Sequence, residues 1–228
     1  MSTEMPPAGH DPAAAAKLQI LATEHWSLLA TRSLTYTESL GRVNVFLAVL
    51  SGAVIALALV AQADRFGTTF IAVAIFMLSV VFFTGVATIG RLMMLNRDDY
   101  RWVVGMNRLR SAYLEMHPEL EPNFITSPYD DLPGALQTLG IDATGIQRFG
   151  SVFHGFVTLP GMLMVIVAAV AGAIAGLAAI GFGAPTLGVL AAGAAAFAVA
   201  LVLMGSWGRM SVRRFSPSLE PRFPSPKT

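Results

Sequence analysis

The chain predicts an all-helical membrane protein, with four transmembrane helices in two hairpins and long cytoplasmic helical extensions of the first hairpin. Three observations carry that reading. Between Arg42 and Arg91 the only charged residues are Asp64 and Arg65. A second stretch, residues 153–207, holds no acid, lysine or arginine. Hydrophobic residues make up 54% of the 228 and charged residues 13%, about half the charged share of a soluble domain.

Residues 1–11 are polar and carry Pro6-Pro7, which predicts a disordered tail. They lack the basic start and following apolar run of a cleaved leader, so the first span is expected to be an uncleaved anchor. Asp11-Pro12 reads as a helix start, with Asp as cap and Pro at the first helical position. The predicted element is a long helical hairpin over 12–117. Leu18, Ala22, Trp26, Leu29, Ser33, Tyr36 and Leu40 form one apolar stripe at spacings of four and three. The spans are predicted over 43–61 and 68–89; nineteen residues at 1.5 Å each cover roughly the ~30 Å hydrocarbon core.

Beyond Arg91 the pattern is amphipathic again. Leu92, Leu95, Asp99, Trp102, Met106, Leu109, Tyr113 and Met116 alternate threes and fours, with Asp99 as the one charged intruder. A sustained 3.5-residue period marks helices packed side by side. The stripes on the two helices are therefore expected to meet in a stalk whose seam includes Trp26, Leu29, Tyr36, Trp102, Met106 and Leu109. Pairing about the Asp64 turn sets Trp26 opposite Trp102 or Val103 and Glu38 opposite Arg91. The competing arrangement lays these helices in the headgroup region, with Trp26 and Trp102 as interfacial anchors.

Prolines 118, 122, 128 and 133 break the pattern, so 118–150 reads as a cytoplasmic loop with one short helix near 134–139. The second transmembrane hairpin is expected over 151–208, with spans 153–180 and 186–207. Residues 209–228 are expected to be a disordered basic tail. Small residues recur every fourth position, at Gly52 and Ala56, at Gly172 and Gly176, and at Gly188, Ala192 and Ala196; such rows let helix backbones approach closely. Fourteen of the fifteen lysines and arginines lie outside the two short turns, with Arg65 the exception. That bias sets both termini in the cytoplasm.

The sequence offers no catalytic, cofactor or metal motif. Cysteine is absent, which removes thiolate ligands, disulfides and Cys nucleophiles. No span carries a charge at its centre, which disfavours a proton-coupled carrier. His10, His25, His117 and His154 lack a facing partner within the spans for a haem, and the pairs Asp98-Asp99 and Asp130-Asp131 read as solvated acids without a third ligand. Asn44, Ser51, Ser79, Thr84 and Thr88 are the polar content of the first two spans and read as packing groups.

The run Leu21-Ala22-Thr23-Glu24-His25-Trp26-Ser27-Leu28-Leu29-Ala30-Thr31-Arg32, followed by Ser51-Gly52-Ala53-Val54, resembles bacterial integral membrane proteins with no assigned activity. The resemblance covers about the first hundred residues and implies a multi-pass protein of the bacterial inner membrane. The layout of helix, two spans and helix also resembles the plan of two-span effector modules of bacterial defence systems that form pores. The expectation is a non-enzymatic scaffold or assembly element presenting a cytoplasmic helical stalk. Its expected partners are the lipid bilayer, a second copy or another cytoplasmic or membrane protein, and no nucleic acid. An oligomeric pore is the alternative.

Overall fold

The structure is a computed structural model that describes residues 12–140, 158–215 and 220–226. Every regular element among these residues is helical. They are α1 (Pro12–Asp64), α2 (Thr68–Met116), a 3-10 segment (Pro118–Asn123), α3 (Leu132–Thr138), α4 (Leu159–Gly181) and α5 (Thr186–Phe215). Four of them, α1, α2, α4 and α5, are long and apolar enough to cross a membrane. The expectations for 1–11, for the beginning of the third span at 153, and for the remainder of the 118–150 loop fall outside the described residues. The expected disordered tail is corrected within them: α5 continues to Phe215, and 220–226 is held by hydrogen bonds set out below.

The chain divides into two compact units. Among the described residues the first gathers 12–34, 99–140 and 220–226, and the second takes 35–98 and 158–215.

In the second unit the turn between α1 and α2 is built by Asp64. Its carbonyl accepts from Gly67 N at 2.9 Å and its carboxylate from Phe70 N at 2.7 Å, so Asp64 satisfies donors that the start of α2 would leave open. Arg65 and Phe66 sit in the left-handed region, with φ of 48° and 63°. That costs roughly 1–2 kcal/mol each, offset by the tight reversal Asp64 secures. The later turn instead uses Gly183, at φ 74°, where no Cβ is strained. α4 begins as its sequence dictates: Thr158 accepts from Gly161 N, and Pro160 lies where its missing N–H is not needed.

The core of this unit comes from all four long helices, with Phe46, Val81, Ile89, Val167 and Met204 among its buried members. Gly85 is where α1, α2 and α4 meet. A Cβ there would run into Val167 and come within 2.9 Å of Phe46. α4 and α5 touch backbone to backbone: a Cβ on Gly172 would stand 2.9 Å from the Gly193 carbonyl, and one on Gly193 3.2 Å from that of Gly172. The glycine facing Gly172 is thus Gly193, a neighbour of the expected α5 row. Ala192 and Ala196 are half-buried, and the atoms nearest the side of Gly188 are those of Ala184 and Pro185 in its own turn. Gly176 faces Val189 at ordinary contact distance, Ala56 is half-buried, and Gly52 has nothing within 4 Å.

These differences make a matched pair of substitutions informative. Gly172→Ala forces the two backbones apart and is expected to cost about 1–3 kcal/mol. Gly52→Ala meets nothing and is expected to gain up to about 1 kcal/mol from helix propensity. Thermal unfolding of the detergent-solubilised protein, followed by circular dichroism, reads both; similar losses at the two positions would contradict the α4–α5 contact.

Candidate functional site

Asp99 interrupts the apolar stripe of α2 and therefore needs a cation. In the first unit Arg32 of α1 supplies it, with Nε 2.7 Å from Oδ1 and only a fifth or less of either side chain exposed. Leu28, one turn earlier on α1, packs over Gly105, and His25 stacks on Tyr113 with ring centroids 6.0 Å apart. The facing positions on α1 are therefore His25, Leu28 and Arg32, one residue behind the expected seam.

One residue is a rotation of about 100° on a helix. Trp26 is accordingly 71% exposed, and Leu29 is also exposed. On α2 the seam residues lie inward: Met106 is buried, and Leu109 and Trp102 are half-buried, with the Trp102 indole N–H finding no hydrogen-bond partner among the described residues. The apolar stripe of α1 set the sequence expectation. The ion pair demanded by Asp99 sets the observed facing, because a carboxylate buried without a cation costs more than an exposed tryptophan.

The same accounting runs through residues 107–140. Asn107 is fully buried; its amide donates to the Tyr129 carbonyl at 2.7 Å, and its oxygen accepts from Arg110 at 2.6 Å and Thr138 at 2.9 Å. Burial pushes the Arg110 guanidinium below its ordinary pKa, and the nearby Arg32 charge adds to the shift. His25 is likewise held below its usual value, first by burial and then by the Arg110 charge, which favours a neutral ring.

Asp130 and Asp131 are the centre of the site. The Asp130 side chain is 0% exposed and takes Arg108 Nε at 2.7 Å, Arg222 N at 2.9 Å and Phe223 N at 2.8 Å. Its own N–H donates to the Phe223 carbonyl, while Arg108 also donates to the Glu220 carbonyl at 2.9 Å. Asp131 caps α3 by accepting from Gly134 N, and takes both the N–H and the hydroxyl of Ser225 at 2.8 Å. The cap also requires Gly134, since a Cβ there would strike the Tyr129 carbonyl.

Burial pushes both carboxyls upward, but the donors around them outweigh it. Both stay charged below the usual aspartate range, Asp130 through Arg222 N, Arg108 and Phe223 N, and Asp131 chiefly through Ser225 and Gly134. The pair expected to be solvated is thus a clamp on the chain's own C-terminal segment. Two signals mark it in the sequence: Asp131-Leu132-Pro133 as a helix start, and prolines at 221, 224 and 226 that leave a set pattern of free N–H groups.

In the second unit Glu38 bridges two arginines, accepting from Arg91 Nε at 2.9 Å and Nη2 at 3.0 Å, and from Arg42 Nε at 2.8 Å. The Glu38–Arg91 pairing matches the expectation. Hydrogen bonds from Arg91 first, then Arg42, pull the Glu38 carboxyl down to about 2. Tyr36, expected in the seam, is exposed. Among the described residues no group of three or more His, Cys, Asp or Glu side chains is placed to hold a metal ion. A recess of about 520 Å³ in the first unit is lined by Leu18, Tyr113, His117, Glu119, Leu120 and Phe124.

Comparison with protein families, with proteins of described function and with solved structures finds no match to this chain.

Replacing Asp130 with Ala strands the Arg108 charge and two main-chain donors, an expected loss of about 3 kcal/mol. Because both aspartates titrate below their ordinary value of 3.8, their contribution is fully present above that pH and is lost as pH falls through the depressed values. Trypsin cleavage after Arg222 at neutral pH should be slow in the native chain and fast in Asp130→Ala. Equal cleavage of the two chains would remove Asp130 as the anchor.

Proposed function

We propose that this is a four-crossing membrane protein of the bacterial inner membrane, with both termini cytoplasmic, and that it acts as a non-enzymatic scaffold presenting its polar helical unit to a protein partner. One observation carries the reading: the polar unit is assembled from three separate stretches of chain, 12–34, 99–140 and 220–226, tied by Arg32–Asp99 and by the Asp130–Asp131 clamp. Segments that touch lie on one side of a bilayer. The apolar parts of α1 and α2 separate the first two stretches, and α4 and α5 separate the second from the third. An even number of crossings between touching stretches supports the reading that each pair of apolar helices crosses and returns as a hairpin. This parity argument is independent of the arginine bias, which assigns that side to the cytoplasm.

The pore alternative asks for polar groups along a span, turn after turn. Three hydroxyl groups in the apolar part of α2 instead donate into their own helix, Ser79 to the Ile75 carbonyl at 2.7 Å, Thr84 to Val80 and Thr88 to Thr84 at 2.8 Å. A donor already spent on the backbone offers little to a file of water or ions. Exposed Trp26 and Ile125 in the polar unit are, by contrast, the kind of apolar contact points a protein partner uses.

Two measurements on the intact chain separate the readings. A photo-crosslinking side chain in place of Trp26 should give one discrete protein adduct in cells, and purified protein in liposomes should give no ion flux above empty vesicles. Flux abolished by Thr84→Leu, with no adduct at Trp26, would replace the scaffold with the pore.

A further inference from the structure

The C-terminal segment sits on Asp130 and Asp131 as a ligand sits in a site. Across residues 221–226 three positions are proline and have no N–H; the other three are Arg222, Phe223 and Ser225. All three of those N–H groups are accepted by the two carboxylates, at 2.8–2.9 Å. The Phe223 carbonyl is taken by Asp130 N, and the Ser225 hydroxyl by Asp131. Recognition therefore reads main-chain donors at the non-proline positions, plus one hydroxyl. Two successive N–H groups converging on one anion bend the chain at 222–223, as in the anion-binding concavities formed by consecutive amides. The flanking prolines restrict the free segment and so lower the ordering cost of binding.

Nothing in these contacts requires the segment to be covalently joined to the site. We propose that the Asp130–Asp131 pair, with Arg108, is a binding site for an extended peptide spaced Pro-x-x-Pro-x-Pro with a hydroxyl residue between the last two prolines. Residues 220–226 are its tethered internal ligand, which shields the site until a partner segment of the same chemistry displaces it. The site names the partner chemistry that the scaffold reading leaves open and rests on that reading for its biological use. Its test reads peptide binding alone, so it fails separately from the cross-linking and flux measurements.

The test uses the full-length chain in detergent or nanodiscs and a fluorescent synthetic peptide of residues 220–226. Phe223→Pro with Ser225→Pro removes two of the three tethered donors and should open the site. Because a short tether confers an effective concentration in the millimolar range, native protein should bind the free peptide at least about tenfold more weakly than this open variant. Adding Asp131→Asn to the open variant, or N-methylating the peptide at the Phe223 position, should each weaken binding by about tenfold, as expected for a lost charge-assisted hydrogen bond. Ser225→Pro alone is the second opening variant, and the native helical circular dichroism spectrum is the check on folding. A folded open variant that does not bind, or that binds equally well with Asp131→Asn or with the N-methylated peptide, would overturn the proposal.

Discussion

One buried carboxylate organises the polar half of this protein. The Asp130 side chain is closed off from solvent, yet it stays charged because a guanidinium and two main-chain amides point at it. A charge in that position is tolerable only while all its partners remain. The partners come from distant stretches of sequence, Arg108 from α2 and Arg222 and Phe223 from the chain's end. Satisfying one ion thus fixes where the last residues must lie. The same logic acts at Asp99, whose demand for Arg32 settles which face of α1 meets α2 in this unit.

The apolar unit obeys a different constraint. With little polar surface to satisfy, its helices are positioned by shape, and glycine is the instrument. Gly85 admits Phe46 and Val167, Gly90 lies under Trp207, and Gly172 lies against Gly193. The hydroxyls of Ser79, Thr84 and Thr88 on α2 donate to carbonyls of their own helix. The unit's design therefore favours a packed anchor, and the proposed role is carried by the polar unit.

Much of the fold was legible because apolar length and turn chemistry act locally. The breaks at Asp64 and Gly183 and the Glu38–Arg91 pairing follow from neighbours in sequence or from simple counting about a turn, whereas the Thr158 cap of α4 lies inside what reads as span from 153. The facing of α1 was not legible. Trp26 and Leu29 make the more apolar stripe, and nothing local says that Asp99, far along the chain, will outvote them through Arg32. Asp130-Asp131 was misread for the same reason. A pair of acids reads as solvated until the N–H groups of residues 222, 223 and 225 are known to arrive. Contact between distant segments decides both cases, and a single sequence carries little trace of it beyond the proline spacing of 221, 224 and 226.

The central claim is that the three stretches of the polar unit share one side of a membrane crossed four times. Single cysteines test it directly, since the native chain has none. Ala63, Phe182, Ile125 and Gln137 are all exposed. In intact cells a membrane-impermeant thiol reagent added outside should label cysteine at 63 and 182 and miss it at 125 and 137 until the membrane is opened. External labelling at 125 as well as at 63 would contradict the crossing of α2, and with it the four-crossing account.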